Sequence, residues 1–268
     1  MSDKKHKFFK SAGKEIAEHK VTFFVYLVLR FFVIISLIMA LVRHEYENAF
    51  VCILSLLLFL APTFIEKRLK IELPSTLEII ILLFVFSAEI LGEIHNYYAK
   101  VPYWDAILHT MNGFLFSAVG FSLLDILNRN SKIKFELSPL YLTLVAFCFS
   151  MTIGVLWEFF EFGCDIILGT DMQKDYILNT VSSVKLNPEG KNIPIIIDGI
   201  KNVAVNGKSL GLNGYLDIGL FDTMKDLIVN FLGAAVFSVI GYFYIKNRGR
   251  GRISKQFIPT IEEEKENK

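Results

Sequence analysis

The sequence has few charged residues, few cysteines and almost no excess of charge of either sign. Asp, Glu, Lys and Arg make up only 21% of its 268 residues, and the formal net charge is +1. A chain this close to neutral lacks the basic surface that attracts phosphate backbones, so no nucleic-acid partner is predicted. The three cysteines, Cys52, Cys148 and Cys164, all lie in apolar stretches. This placement indicates small packing side chains and argues against a disulfide framework.

Apolar residues, in contrast, make up 53% of the chain and form six long stretches. A helix of about 20 such residues crosses a hydrocarbon core about 30 Å thick. The alternation typical of a membrane β-barrel is missing, so helices are left to satisfy the backbone in lipid. We therefore predict an all-α polytopic membrane protein with a six-span helical bundle over residues 21–245. The predicted spans are Val21 to Val42, Asn48 to Ile65, Pro74 to Ile94, Asp105 to Leu127, Pro139 to Leu168 and Asp222 to Ile245.

The distribution of Lys and Arg predicts the orientation of these spans. Residues 1–20 contain six lysines, and the tail, residues 246–268, contains seven basic residues. Every second loop between the spans is also basic, and basic loops stay on the cytoplasmic side. Both termini are therefore predicted to be cytoplasmic. The polar N-terminal segment does not have the pattern of a cleavable signal peptide, and the composition of the tail predicts disorder.

One long segment between the last two spans is not apolar enough for a membrane. Residues 169–221 contain short β-branched runs, Ile193 to Ile197 and Val203 to Val205. They are bounded by three dipeptides that favour tight turns: Asp198-Gly199, Asn206-Gly207 and Asn213-Gly214. We predict a small β-rich insertion, a β-meander, on the extracytoplasmic side.

Ionisable and amide side chains cluster at the ends of the last four spans. An ionisable group in the hydrocarbon core is costly, so it usually faces the inside of the bundle and has a function. With the predicted orientation, all these span ends lie at the same outer membrane face. The residues are Glu89 and Glu93, Asp105 and His109, Glu158 and Glu161 with Asp165, and Asp222, Asp226 and Asn230.

The spacing of these residues predicts a shared site. Asp105 and His109 are four apart, as are Asp222 and Asp226, so each pair lies on one helical face. Carboxylates packed together must share protons or bind a cation. Oxygen ligands with one histidine suit a divalent metal ion. The predicted metal ligands are Asp105, His109, Glu158, Asp222, Asp226 and Asn230, and the predicted catalytic residues are Glu158 and Glu161.

The other polar and small residues near the site have simpler interpretations. Glu89, Glu93 and Asp165 are equally well explained as acids solvated by headgroup water. Trp104 and Trp157 fit an interfacial aromatic belt. Small residues on the fourth and sixth spans predict close helix packing. They are Gly113, Ser117, Gly120, Gly233 and Ala234.

Three motifs resemble a known family. They are Asp105-x-x-x-His109-x-x-x-Gly113, Trp157-Glu158-x-x-Glu161 and Asp222-Thr223-Met224-x-Asp226-Leu227-x-x-Asn230-x-x-Gly233-Ala234. Together they resemble the YjdF-like bacterial inner-membrane proteins, which implies that location but no reaction. The last two thirds are also distantly similar to VanZ-like membrane proteins, which are associated with glycopeptide-antibiotic resistance. The extra N-terminal spans, the second glutamate Glu161 and the insertion depart from that pattern.

Three kinds of function fit these observations. The first is a metal-dependent hydrolase or transferase that acts on an amphiphilic, lipid-linked cell-envelope substrate from the outer leaflet of the bilayer. The second is an ion- or proton-coupled transporter, which would need polar residues through the full membrane depth. The third is a non-catalytic assembly or sensor protein that uses the insertion as a contact surface.

Overall fold

A computed structural model describes residues 20–69, 71–129, 137–247 and 256–261. The chain divides into two compact units. The first unit combines Met1–Met151 with Val229–Lys268, and the second unit is Thr152–Ile228. Both boundaries fall inside long helices, so the second unit contains the predicted insertion together with the ends of the two helices that flank it.

The described chain is mostly helical. Eight α-helices and one π-helix are present in these residues. They are α1 (Lys20–Val42), α2 (Tyr46–Leu58), α3 (Ala61–Leu69), α4 (Ser75–Val85), the π-helix (Phe86–Ile94), α5 (Tyr97–Lys100), α6 (Trp104–Arg129), α7 (Pro139–Leu168) and α8 (Leu220–Lys246).

Five helical stretches within the described residues are long and apolar enough to cross a membrane. One of them, Tyr46–Arg68, joins α2 to α3, and the others correspond to α1, α6, α7 and α8. These agree with five of the six predicted spans. The remaining predicted span, Pro74 to Ile94, is helical from Ser75 onward but is divided between α4 and the π-helix, so it is not among the five.

Helices α6 and α8 touch through glycines in the first unit. A β-carbon on Gly113 would lie 2.0 Å from the carbonyl oxygen of Asn230, and one on Gly233 would lie 1.9 Å from that of Thr110. Only glycine leaves room for backbones at this distance. The Ser117 and Ser238 hydroxyls form a hydrogen bond of 3.2 Å further along the same contact. The predicted close packing of small residues is therefore present.

Part of the predicted disordered tail is ordered. Strand β8 (Thr260–Ile261) pairs antiparallel with β1 (Ile71–Glu72), and Ile258 is buried. The prediction of disorder over residues 246–268 is therefore wrong for residues 256–261, because this short apolar stretch buries its side chains in the first unit. Residues 248–255 and 262–268 lie outside the described part of the chain.

The second unit contains six short strands as three antiparallel pairs: β2–β7, β3–β4 and β5–β6. They are β2 (Ile177–Leu178), β3 (Val181–Ser183), β4 (Ile195–Ile197), β5 (Ala204–Val205), β6 (Lys208–Ser209) and β7 (Tyr215–Leu216). The β-rich prediction is confirmed, but the meander is not, because β2 pairs with the distant β7.

Only one of the three predicted turn dipeptides joins a two-residue hairpin. Asn206 and Gly207, with φ of 52° and 77°, connect β5 to β6. Positive φ at both central residues is the requirement of a type I′ turn, which explains the Asn-Gly sequence.

Candidate functional site

The first two turns of α6 carry an acid and a histidine from the predicted ligand set. Asp105 and His109 are one turn apart, and Asp105 Oδ1 lies 3.5 Å from His109 Nε2. His109 is buried, whereas Asp105 is partly exposed. The α-helical spacing thus directs both side chains to the same face, as the sequence predicted.

The start of α6 is held by the π-helix that precedes it. Trp104 donates an indole hydrogen bond to the carbonyl oxygen of Ser87 over 3.3 Å, and its ring packs against Tyr97 with centroids 5.0 Å apart. In a π-helix the backbone hydrogen bonds join residues five apart, whereas in an α-helix they join residues four apart. Such segments are frequent near functional sites. On this π-helix Glu89 is half-buried and Glu93 is exposed.

Asn230 is a junction between three helices of the first unit. Its Oδ1 accepts a hydrogen bond from Asn112 Nδ2 over 3.2 Å, and its own Nδ2 points to the sulfur of Met151 at 3.6 Å. Ser150 Oγ donates to the carbonyl oxygen of Gly113 over 2.7 Å. Hydrogen bonds between buried polar groups thus join α6, α7 and α8 beside the glycine contact.

The second unit holds the two predicted catalytic glutamates on α7. Glu158 and Glu161 are both buried, and one carboxylate oxygen of each lies within 4.8 Å of the other. Trp157 donates its indole N–H to Glu161 Oε1 over 2.8 Å. Trp157 and Glu161 are four residues apart, so both side chains lie on one face of α7 and can form this hydrogen bond. Trp157 therefore orients Glu161, a role that the aromatic-belt interpretation missed.

The first two turns of α8 carry Asp222, Lys225 and Asp226. Asp222 Oδ2 accepts the backbone N–H of Lys174 over 2.8 Å, and the Lys225 ammonium lies 3.9 Å from Asp222 Oδ1. Lys225 also donates to the hydroxyl of Tyr176 over 2.9 Å. Asp226 is 1% exposed, the most deeply buried acid of the described chain.

Hydrogen bonds hold residues 173–176 against the first two turns of α8. Besides the Lys174 and Tyr176 contacts, Gln173 Nε2 donates to Thr223 Oγ1 over 2.6 Å. At the end of α7, Asp165 accepts the backbone N–H groups of Met172 and Gln173. Asp165 therefore organises the loop, a structural role that the sequence analysis had left open.

Two aspartates of the insertion have shifted pKa values. The Thr180 hydroxyl and the Gly199 N–H hold the pKa of the exposed Asp198 below its usual range. Partial burial and the nearby carboxylates Asp171 and Asp217 raise the pKa of Asp175. Hydrogen bonds favour the charged carboxylate, whereas desolvation and like charges disfavour it.

Comparison with known proteins identifies a family. A family model described as "Predicted membrane protein (DUF2238)" matches residues 24–247. The chain belongs to this family. A protein of Thermotoga maritima, described as uncharacterized, is 32% identical over 108 residues. This match covers 40% of the present chain and 54% of the relative, so the chain spans about half the length of that protein. No solved structure matches the chain.

The predicted site residues of this DUF2238 membrane protein are distributed over both units. Asp105, His109 and Asn230 belong to the first unit, and the structure joins Asp105 to His109 and Asn230 to Asn112. Glu158, Glu161, Asp222 and Asp226 belong to the second unit. The sequence analysis did not include Asn112 or Ser150. Asn112 lies between the predicted ligand His109 and the predicted packing residue Gly113. This position in the sequence was the signal that could have identified Asn112 as part of the site.

Proposed function

We propose that this membrane protein binds a divalent cation and uses it to cleave or transfer a phosphate or other ester group of a lipid-linked substrate. The proposed ligands are Asp105, His109, Glu158, Asp222, Asp226 and Asn230, and the proposed general base is Glu158 or Glu161. The observation that carries the proposal is the burial of ionisable side chains on membrane helices. Five side chains of the candidate site are less than 9% exposed: His109, Glu158, Glu161, Asp222 and Asp226.

The charge of these groups favours a cation. Four are carboxylates, and each ionised carboxylate removed from water loses several kcal/mol of solvation free energy. Lys225 is near Asp222 and supplies one positive charge. A divalent cation supplies two more and prefers the mixture of carboxylate and imidazole ligands. Helix-borne carboxylates and histidine are an established way to build such a site in a bundle.

Helices α6 and α8 run parallel within the first unit. Their contacts advance together, from Asn112 and Asn230 to Ser117 and Ser238. This direction agrees with the proposed topology, in which both helices run from the outer membrane face inward.

The pairing of β1 with β8 supports six spans. Paired strands lie on one side of a membrane, so the chain between residues 72 and 260 crosses an even number of times. Helices α6, α7 and α8 supply three crossings. The 20-residue helical run of α4 and the π-helix is therefore the fourth, and α1 with α2–α3 gives six. With the positive-inside rule, we infer that both termini are cytoplasmic in a bacterial inner membrane.

The chemistry follows from the ligand types. The proposed ligands would hold a divalent cation, which would supply Lewis-acid chemistry toward a phosphoryl or carbonyl oxygen and toward water. Glu158 or Glu161 accepts the proton of the attacking water or hydroxyl group, and the indole of Trp157 keeps Glu161 oriented. The lipid bilayer favours an amphiphilic substrate, and a lipid-linked cell-envelope precursor that enters from the outer leaflet is the substrate class that we propose.

An assay in proteoliposomes tests this function. The purified full chain is supplied with a polyprenyl phosphate or diphosphate, and released phosphate is measured after chelation and after addition of Zn²⁺, Mn²⁺ or Mg²⁺. We expect release that requires added metal and falls at least about 100-fold in Glu158→Gln or Glu161→Gln. Asp125→Asn, a change at another buried acid of α6, is the control. Proton flux without phosphate release would instead support the transporter.

A further inference from the structure

We infer that residues 256–261, the tail segment, form an intramolecular plug that closes one end of the first unit. This segment follows α8 after nine residues, which span up to about 30 Å. The inference concerns the end of the bundle that carries β1 and β8, and it does not depend on the proposed metal site.

The plug is built from two apolar side chains. Ile258 is 1% exposed and belongs to the buried cluster that includes Leu73, Phe237 and Tyr244. Phe257 packs edge-to-face on Phe114 of α6, with ring centroids 5.3 Å apart. The tail segment therefore inserts into the helix packing and does not merely cover it.

An aromatic series continues from the plug through the helices. Phe114 meets Phe237 edge-to-face at 5.2 Å, and Phe237 meets Phe121 at 5.9 Å. Phe121 in turn meets Tyr244 near the end of α8 at 6.3 Å. Edge-to-face rings add to the stabilisation from buried area. The tail segment is thus in contact with the same two helices, α6 and α8, that touch at Gly113 and Gly233.

The loop between α3 and α4 forms the other wall. Strand β1 pairs with β8, and Ile71 and Leu73 are buried beside them. Glu66 fixes the loop by accepting the backbone N–H of Leu73 over 2.8 Å. Six apolar residues of the loop and helices share one buried cluster with Ile258 of the tail segment, and we call them the socket: Ile71, Leu73, Leu77, Leu115, Phe237 and Tyr244.

Such a plug has a functional consequence. A helical bundle whose socket is filled does not admit solutes from this end. The strand pair of two residues each is short, and short, locally stabilised segments open more readily than the global fold. The plug is therefore the part of the first unit that can open this end without unfolding the helices.

Thiol labelling tests the plug. In a full-length chain without its native cysteines, Leu73→Cys reports the socket and Ala40→Cys, also buried, reports α1. We expect Ile258→Asp, and more mildly Ile258→Ala, to speed maleimide labelling of Leu73→Cys at least about tenfold and to leave Ala40→Cys unchanged. Gln256→Ala, at an exposed position of the same segment, should change neither rate.

A rescue experiment guards against simple unfolding. A chain truncated after Asn247 should label rapidly at Leu73→Cys, and a synthetic peptide of residues 254–262 should restore protection. Unchanged labelling of Leu73→Cys in both Ile258 variants would overturn the inference. Equal acceleration at Ala40→Cys, or no rescue by the peptide, would overturn it as well. Metal content should stay the same throughout, which separates this test from that of the proposed function.

Discussion

Asn112 on α6 donates its side-chain N–H to Oδ1 of Asn230 on α8 over 3.2 Å. Both residues lie beside the contact in which the backbones of α6 and α8 approach through Gly113 and Gly233. The fully buried Asn230 is therefore needed for helix packing in addition to its proposed role as a ligand. Helix packing and the proposed ligation thus share one short stretch of α8.

The glycine contact predicts a large loss of stability from a single methyl group. Gly233→Ala places a β-carbon 1.9 Å from the carbonyl oxygen of Thr110, so α6 and α8 must separate. We expect a loss of about 3 kcal/mol of unfolding free energy, measured by thermal or denaturant unfolding in detergent. Gly163→Ala on α7 is the matched control, because its β-carbon would meet nothing within 4 Å. Equal behaviour of the two variants would contradict the packing described here.

Asn112 allows the packing role of Asn230 to be separated from ligation. Asn112→Ala removes the hydrogen bond to Asn230 Oδ1 and leaves every proposed ligand in place. We expect stability to fall by about 1–2 kcal/mol, because a buried acceptor loses its donor, while bound metal stays constant. Loss of metal in this variant would show instead that the hydrogen bond is part of the site.

The Trp157–Glu161 hydrogen bond predicts energetic coupling between the two residues. Unfolding free energies of Trp157→Phe, Glu161→Leu and the double variant form a cycle that measures their interaction, because neither replacement side chain can form the hydrogen bond. We expect a coupling of about 1–3 kcal/mol, as for a hydrogen bond to a charged group. Phe160→Leu paired with Glu161→Leu is the control, since Phe160 contacts the Trp157 ring and cannot donate a hydrogen bond. Additive effects in the Trp157 cycle would exclude an orienting role.

The hydrogen bond from Thr180 predicts a change in the titration of Asp198. Thr180→Val removes the donor that lowers the pKa of Asp198 most, so this pKa should rise toward its usual value. Because the folded pKa is lowered, any stabilisation is present above the unfolded pKa and is lost as pH falls through the folded value. Carboxyl-carbon NMR of the labelled protein measures the shift. An unchanged pKa in Thr180→Val would contradict the assignment.

Long patterns in the sequence predicted the helices well, and short ones predicted contacts poorly. The apolar run from Pro139 to Leu168 coincides with α7, because no proline follows Pro139 to break the helix. The π-helix was not foreseen, since its composition is that of an ordinary apolar helix. The sequence analysis did not predict the burial of Ile258. The five apolar or small residues from Phe257 to Ile261 follow a basic segment and are too few to show the periodicity of a helix or a strand.

Side-chain partners within the candidate site were only partly predictable. The helical spacing of Asp105 and His109 was enough to predict that they share a face, and the structure joins them. The hydrogen bond from the backbone N–H of Lys174 to the Asp222 carboxylate was not predictable, because a loop can contact a helix in many conformations. The same holds for the pairing of β2 with β7, whose partners are far apart in sequence.

The metal content of the purified full-length protein tests the central claim most directly. Element-resolved mass spectrometry of the detergent-solubilised chain, after dialysis against trace divalent metals, should find about one ion per chain. His109→Ala and Asp226→Ala should reduce this at least about tenfold and abolish the thermal stabilisation by added metal. Asp125→Asn, about 30 Å along α6 from Asp105, should keep the ion. Equal metal content in all four proteins, or none in the unaltered chain, would contradict the account.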